Sequence, residues 1–133
     1  MEGSIKELSA YRYSKALEDL SASEVTLKES LYKVSINRSY YAIFHAMRAI
    51  TALAGYDSSK HSGIIAYFNL HFVKTGEFNR DSSKIVKTAS FLREKSDYED
   101  FYIASKQDAE KQLEDAKIFI SKVEEYLKKN EIV

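Results

Sequence analysis

The chain has 133 residues, of which 44% are hydrophobic and 30% are charged, and this composition predicts a folded globular protein rather than a disordered one. Twenty basic and twenty acidic side chains cancel, so no global field is expected to draw the chain onto nucleic acid or an anionic membrane. The absence of cysteine excludes disulfides and thiolate metal sites, and the lack of a long apolar run predicts no signal peptide or membrane span, as expected of a cytoplasmic protein.

The first half of the chain is predicted to be helical. Proline is absent and only four glycines occur, so the usual helix breakers are missing and an all-α fold is expected. A first helix is predicted over about residues 5–30 and a second over about 31–54. Gly55 ends the second helix, since glycine accepts a left-handed backbone. The sequence leaves open whether the two helices join or whether the helix is interrupted near residues 21–23.

The second half predicts three further segments. A shorter helix is expected over residues 60–74, ending at Gly76, and another from about 82 to 95 with Asp81 as its N-cap. The stretch SDYEDFYIAS, residues 96–105, is predicted to connect this helix to the last one.

The last helix has the clearest pattern. Ser105, followed three residues later by Asp108, resembles a capping box and marks its start. Its apolar residues alternate spacings of four and three, as in a helix packed nearly antiparallel in a bundle. These residues are Ala109, Leu113, Ala116, Ile120, Val123 and Leu127.

Arg38 and His45 lie seven residues apart within the predicted second helix, in the segment NRSYYAIFHAMRAI. At about 100° per residue, seven steps leave the side chains roughly 20° apart on one face and about 10 Å apart along the axis. Two long side chains at this spacing can converge on one phosphate. Because arginine holds phosphate oxygens and histidine exchanges protons near neutral pH, the pair is a candidate phosphodiester site.

The two faces of this helix differ in composition. The face opposite Arg38 and His45 is predicted to be core and carries Tyr40, Ile43, Phe44, Met47 and Ile50. The face of the pair also carries Tyr41 and apolar or small residues that a solvated surface would not need. We predict that this face meets a second copy in an isologous dimer, which brings both Arg and His pairs to one cleft. The predicted interface residues are Leu31, Val34, Ala42, Ala49 and Ala52.

Three segments of the chain together resemble a known family. NRSYYAIFHA is followed by SSKHSGIIAYFNLHFVKTGEF and then by REKSDYEDFYIASKQDAEKQLEDAKIFI. Over most of its length the chain resembles the HEPN superfamily, specifically its small single-domain prokaryotic branch. The motif of that family is an arginine, four to six intervening residues and a histidine. Arg38 and His45 enclose six.

The resemblance implies a fold, an activity and partners. HEPN proteins are up-and-down helical bundles, which here implies four to five helices in one domain over residues 1–133. They commonly form homodimers through the helices that carry the motif, and many are endoribonucleases that use no metal or other cofactor. In prokaryotes they often act as the toxin beside a minimal nucleotidyltransferase antitoxin. RNA is the implied substrate, and nothing implies a membrane.

Candidate roles follow for individual residues. His45 is expected to act as general base or acid and Arg38 to stabilise the pentacoordinate phosphorus. Tyr41 either contacts an RNA base or phosphate or belongs to the interface. Asn37 either orients Arg38 or is solvated. His61 either joins a phosphate patch or bridges helices.

Two positions depart from the family pattern. Ser39 follows the motif arginine, where many active members have Asn, Asp or His, and Met47 stands where an adenylylated branch has tyrosine. The alternative is therefore a noncatalytic HEPN module that binds a nucleotide or scaffolds a nucleotidyltransferase partner. A metal site is not expected, because the histidines lack the spacing of metal ligands.

Overall fold

The computed structural model describes residues 2–133, with side chains from residue 4 onward, and consists of helices joined by short turns. The helices are α1 (Glu2–Lys28), α2 (Tyr32–Leu53), α3 (His61–Phe68), α4 (Arg80–Tyr98) and α5 (Lys106–Lys129), and a π-helical turn (Asn69–Val73) continues α3. No strand occurs in this part of the chain, so the predicted all-α bundle is confirmed. None of the helices found between residues 2 and 133 is long and apolar enough to span a membrane.

The turns that end α1 and α2 explain why these helices fold back on each other. α1 runs unbroken through residues 21–23 and closes at Ser30, whose φ is 62°. The Leu31 backbone N–H there donates to the Thr26 carbonyl at 2.8 Å. Gly55 ends α2 in the same way, with a φ of 78°. This left-handed closure turns the chain sharply and leaves few helix-end carbonyls unpaired.

α1 and α2 pack along most of their length through small side chains, which allow their backbones to approach closely. Ser9 Oγ donates to the Ala49 carbonyl at 2.7 Å, and Ser23 Oγ lies 2.7 Å from Ser39 Oγ. Ser35 joins the same hydroxyl cluster at 3.0 Å. We call this packing the α1–α2 seam. Its buried members are Ser9, Arg12, Ala16 and Ser23 of α1 and Ser35, Ser39, Ala42 and Ala49 of α2.

The main core lies on the opposite side of α2. Tyr40, Ile43, Phe44, Met47 and Ile50 are all buried there, as the pattern of α2 predicts. The six regularly spaced apolar residues of α5 are buried as well, so both predicted core faces are confirmed. Phe119 fills the centre, with its ring centroid 5.7 Å from that of Phe68. This packing fixes which face of α2 is left for chemistry.

Two predicted boundaries of α4 are wrong. Its N-cap is Asn79, whose side-chain oxygen accepts from the Ser82 backbone N–H at 3.1 Å, and Asp81 lies inside the first turn. The helix also continues to Tyr98, past the predicted end at Lys95. The predicted cap of α5 is confirmed, because Ser105 Oγ accepts from the backbone N–H of residue 108 at 3.0 Å.

Candidate active site

Arg38, Tyr41 and His45 form a partly exposed stripe along α2. The guanidinium carbon of Arg38 lies 5.1 Å from the Tyr41 ring centroid, and the His45 ring centroid lies 6.0 Å from it. The structure therefore places Arg38 and His45 on one face, both beside the Tyr41 ring. Helical periodicity alone produces this juxtaposition, since the three residues recur at intervals of three and four.

Asp19 of α1 joins the two motif residues through its carboxylate. Its Oδ1 accepts from Arg38 Nη1 at 2.8 Å, and its Oδ2 lies 3.6 Å from His45 Nε2. Sequence reasoning about α2 alone missed this residue. Asp19 follows Ala16 by three residues and precedes Ser23 by four, on the buried face of α1, and that spacing is the signal that could have found it.

Asn37 holds the Arg38 side chain from the other direction. Its Oδ1 accepts from Arg38 Nε at 3.1 Å and from Nη2 at 2.6 Å, and its Nδ2 lies 3.3 Å from Asp97 Oδ2 on α4. Together with Asp19, these bonds engage three of the five N–H donors of the guanidinium. Two donors stay available for an anion, and the fork is held in a fixed orientation.

His45 is held in its neutral form at pH 7. Burial has the largest effect and lowers its pKa from 6.5. Three cations around the ring, Lys15 of α1 with Arg38 and Arg48 of α2, lower the pKa further, whereas the Asp19 carboxylate raises it. Nδ1 is buried with no hydrogen-bond partner among the residues described, so Nε2 is the ring nitrogen that a substrate can reach. A neutral imidazole can accept a proton.

His61, at the start of α3, lies beside this stripe. Its Nδ1 is 2.8 Å from the Tyr40 hydroxyl, and its ring stacks on Phe44 with centroids 4.0 Å apart. Its ring centroid is also 5.8 Å from that of Tyr41. His61 thus connects α3 to α2 and also lies at the edge of the stripe. Its position is compatible with both roles considered from the sequence, a phosphate patch and a bridge between helices.

The two departures from the family motif both point away from the stripe. Ser39 is fully buried in the α1–α2 seam, where it contacts Ser23. Met47 is buried in the main core. Neither side chain can touch a substrate bound at Arg38.

The predicted interface splits into two parts. Ala42 and Ala49 are 0% exposed and Ala52 is 5% exposed, because α1 of the same chain covers this part of α2. The prediction that these three alanines contact a second copy is therefore wrong. The backbone that approaches them belongs to the same molecule. Leu31 and Val34 differ, with exposures of 52% and 45%.

The side chains that the structure describes include no group of three or more His, Asp or Glu residues arranged to hold a metal ion. What the stripe offers chemically is a fixed cation beside a neutral imidazole, both close to one carboxylate. Such a set can bind an anion and exchange one proton.

The all-α bundle and the Arg38 and His45 motif on α2 are together the features of a known class of proteins. The family model of the HEPN domain matches residues 9–126, and the chain belongs to the HEPN domain family. Two similar proteins from Methanocaldococcus jannaschii, each named "Putative toxin", are 32% and 30% identical to it; each alignment covers 85% of this chain, and they cover 84% and 77% of the relatives. A UPF0332 protein of Thermotoga maritima is 30% identical over 88% of this chain and 89% of its own length.

The bridge between Asp19 and His45 can be tested through the pKa of the histidine. In Asp19→Asn the one carboxylate that raises the His45 pKa is lost, so this pKa falls further below 6.5, as measured by NMR titration of the ring. Glu18→Gln, at the exposed neighbouring position of α1, is the matched control and leaves the titration unchanged. A His45 pKa that does not fall in Asp19→Asn contradicts the bridge.

Proposed function

We propose that this chain is a metal-independent endoribonuclease that acts as the toxin of a two-component system. One observation carries the proposal: Arg38 and His45, held by Asp19, keep 35% and 18% of their side chains exposed on one face. The exposed side of Arg38 keeps two guanidinium donors available to an anion from solution. Family membership and the relatives named "Putative toxin" support the same assignment.

The geometry suggests how the residues share the chemistry. In the tautomer that carries its proton on Nδ1, Nε2 of neutral His45 takes the proton of the ribose 2′-hydroxyl, and the 2′-oxygen attacks the adjacent phosphorus. The two free donors of Arg38 stabilise the charge that builds up on the phosphorane oxygens. The bond to the 5′-oxygen then breaks, and that oxygen leaves with a proton from the imidazolium. The products are a 2′,3′-cyclic phosphate and a 5′-hydroxyl.

Asp19 acts as a positioning residue in this scheme. Its carboxylate orients Arg38 through the bond at 2.8 Å and favours the imidazolium that forms once His45 has accepted a proton. A phosphate that binds at Arg38 has to share the guanidinium with this carboxylate. The geometry permits it, because Asp19 occupies only one of the five donors.

Ribonuclease activity is tested with the two motif residues. His45→Ala and Arg38→Ala are each expected to slow cleavage of single-stranded RNA by at least about 100-fold. General acid and base catalysis by histidine contributes about 10²–10⁴, and loss of a donor that stabilises transition-state charge costs about 10²–10³. The readout is the yield of 2′,3′-cyclic phosphate ends. The same variants are expected to abolish growth arrest when the chain is expressed.

The control for this experiment is His71→Ala. His71 is exposed, and its imidazole contacts Tyr67 rather than the stripe. Undiminished cleavage in His45→Ala refutes catalysis by His45. A wild-type chain that cleaves no RNA favours the second candidate, a noncatalytic HEPN module. The observation that favours the second candidate is the burial of Ser39, which leaves the position after the motif arginine without a polar group toward the substrate.

Dimerisation through the start of α2 is part of the proposal. Leu31 and Val34 precede Arg38 by seven and four residues, so all three lie on one face of the chain at the start of α2. Ile103, 87% exposed, extends the apolar surface beside them, where Leu31, Val34 and Ile103 line a shared groove. Two copies paired symmetrically here would bring their Arg38 and His45 side chains toward one cleft.

A double charge insertion tests this interface. Leu31→Glu with Val34→Glu is expected to convert a dimer to monomer in sedimentation velocity, because paired carboxylates would be buried and would repel. Leu70→Glu places one such charge on a leucine of the π-helical turn that is as exposed as Leu31, and it leaves the dimer intact. A wild-type monomer at every concentration, or a dimer that survives the double change, contradicts the interface.

The partner proposed for this chain is a minimal nucleotidyltransferase antitoxin. The proposal predicts that an adjacent gene encodes a small protein with a Gly-Ser and paired-Asp signature, and that its product copurifies with this chain. Tyr41 is the partly exposed tyrosine of the stripe and is the proposed site of adenylylation by this partner. Intact-mass analysis of the coexpressed complex is expected to show an added nucleotide on the wild-type chain and none on Tyr41→Phe. An unrelated neighbouring gene argues against this partner.

A further inference from the structure

An aromatic platform adjoins the proposed catalytic pair. Its members are Tyr40, Tyr41 and Phe44 of α2 and His61 of α3. The Tyr41 ring lies edge-on to Tyr40 at 5.1 Å and to His61 at 5.8 Å, and His61 stacks on Phe44 at 4.0 Å. Tyr41 and His61 keep part of their surface open, whereas Tyr40 and Phe44 are buried beneath them.

Two arginines from different helices lie over rings of this platform. The guanidinium carbon of Arg93, on α4, lies 4.6 Å from the Tyr40 ring centroid, and that of Arg48, on α2, lies 5.8 Å from the Phe44 ring centroid. Tyr40 and Phe44 are two of the three rings that lie against His61, and Tyr41 is the third. Both arginines lower the pKa of His61, although burial lowers it more. The neutral form of His61 is therefore favoured at pH 7, and both arginines are close enough to act on its ring.

Neither arginine is fully satisfied by the chain. The Nε atoms of Arg48 and Arg93 are buried without a hydrogen-bond partner among the described residues. The Asp97 carboxylate lies 3.7 Å from Arg93 Nη1, longer than a hydrogen bond, and also contacts Asn37. Asp57 pairs with Arg48 at 2.8 Å but is shared with Arg12. Both Nε atoms are shielded from solvent, so a bound phosphate would contact the Nη groups, and Arg93 Nη1 has the Asp97 carboxylate only at 3.7 Å.

We propose that His61, Arg93 and Arg48 form a second phosphate subsite, which holds the phosphate that neighbours the one bound at Arg38 and His45. This inference rests on the proposed function, and it adds a second phosphate contact and one stacked base to the recognition of single-stranded RNA. Tyr41 adjoins both subsites, because Arg38 and His61 each lie within 6 Å of its ring centroid. The base between the two phosphates stacks on Tyr41, and bases locked in a duplex cannot do so.

Arg93 lies four residues before Asp97 in α4, which is the spacing of an ion pair within one helix. The structure adds that its guanidinium lies over Tyr40 and next to the residues that contact His61. α3 also begins at His61 with no side-chain cap and no acidic residue in its first turn. The positive end of this helix adds to the field of the two arginines.

The salt dependence of binding tests the second subsite. The probes are 2′-O-methyl uridine dinucleotide and trinucleotide without terminal phosphates, which carry one and two phosphodiesters and lack the nucleophile for cleavage. Each phosphate neutralised on a single strand adds about 0.7 to the slope of log K against log salt. The wild-type slope is therefore expected to be larger by about 0.7 for the trinucleotide. In Arg93→Gln and Arg48→Gln the two slopes become equal.

Lys87→Gln is the matched control, since Lys87 is an exposed cation on another face of α4, and it keeps the difference in slope. A second measurement uses the wild-type chain, so its result does not depend on whether a variant folds. The pKa of His61, followed by NMR, is expected to rise with the trinucleotide and to stay unchanged with the dinucleotide, because a nearby anion favours the imidazolium. Equal wild-type slopes, absence of binding, or a His61 pKa that does not respond each overturn the second subsite.

The two proposals fail in different ways. The probes cannot be cleaved, so their binding does not depend on catalysis. A chain that shows the difference in slope but cleaves no RNA refutes the ribonuclease and supports the subsite. A chain that cleaves RNA through His45 but gives equal slopes refutes the subsite alone.

Discussion

The close approach of α1 to α2 is the constraint on which the rest of the structure depends. Small residues line both sides of the α1–α2 seam, and serine hydroxyls bond across it at 2.7 Å to Ala49 and Ser39. Larger side chains would separate the helices and leave those hydroxyls buried without partners. The seam also carries Asp19 to Arg38 and His45, so the same packing that stabilises the bundle assembles the candidate site.

The site is built on rigid elements. Polar contacts run from Asp19 on α1 through Arg38 and Asn37 on α2 to Asp97 on α4. Each link restricts a long side chain that would otherwise lose rotamer freedom on binding a ligand. The Asp19 and Asp97 carboxylates offset part of the charge of Arg38 and Arg93. His45 stays neutral in this setting because burial outweighs the attraction of Asp19.

Most of the fold could be predicted from local signals. The apolar period of α5, its Ser105 cap and the left-handed Gly55 all act within a few residues, and the structure confirms them. The N-cap of α4 could not be chosen from the sequence, because Asn79 and Asp81 are both short polar residues able to accept from the backbone. The prediction that the alanines of α2 contact a second copy was wrong for another reason. Periodicity shows that a face is buried, but not which helix covers it.

The sequence by itself determined the all-α class, the core faces and the shared stripe of Arg38 and His45, because helical geometry converts spacing along the chain directly into position on a face. Only the tertiary structure decided that α1 covers the alanines, that Asp19 joins the motif residues, and that Arg93 lies with His61. These contacts link residues far apart in the chain. Their partners are set by how whole helices pack, and no local pattern records that choice.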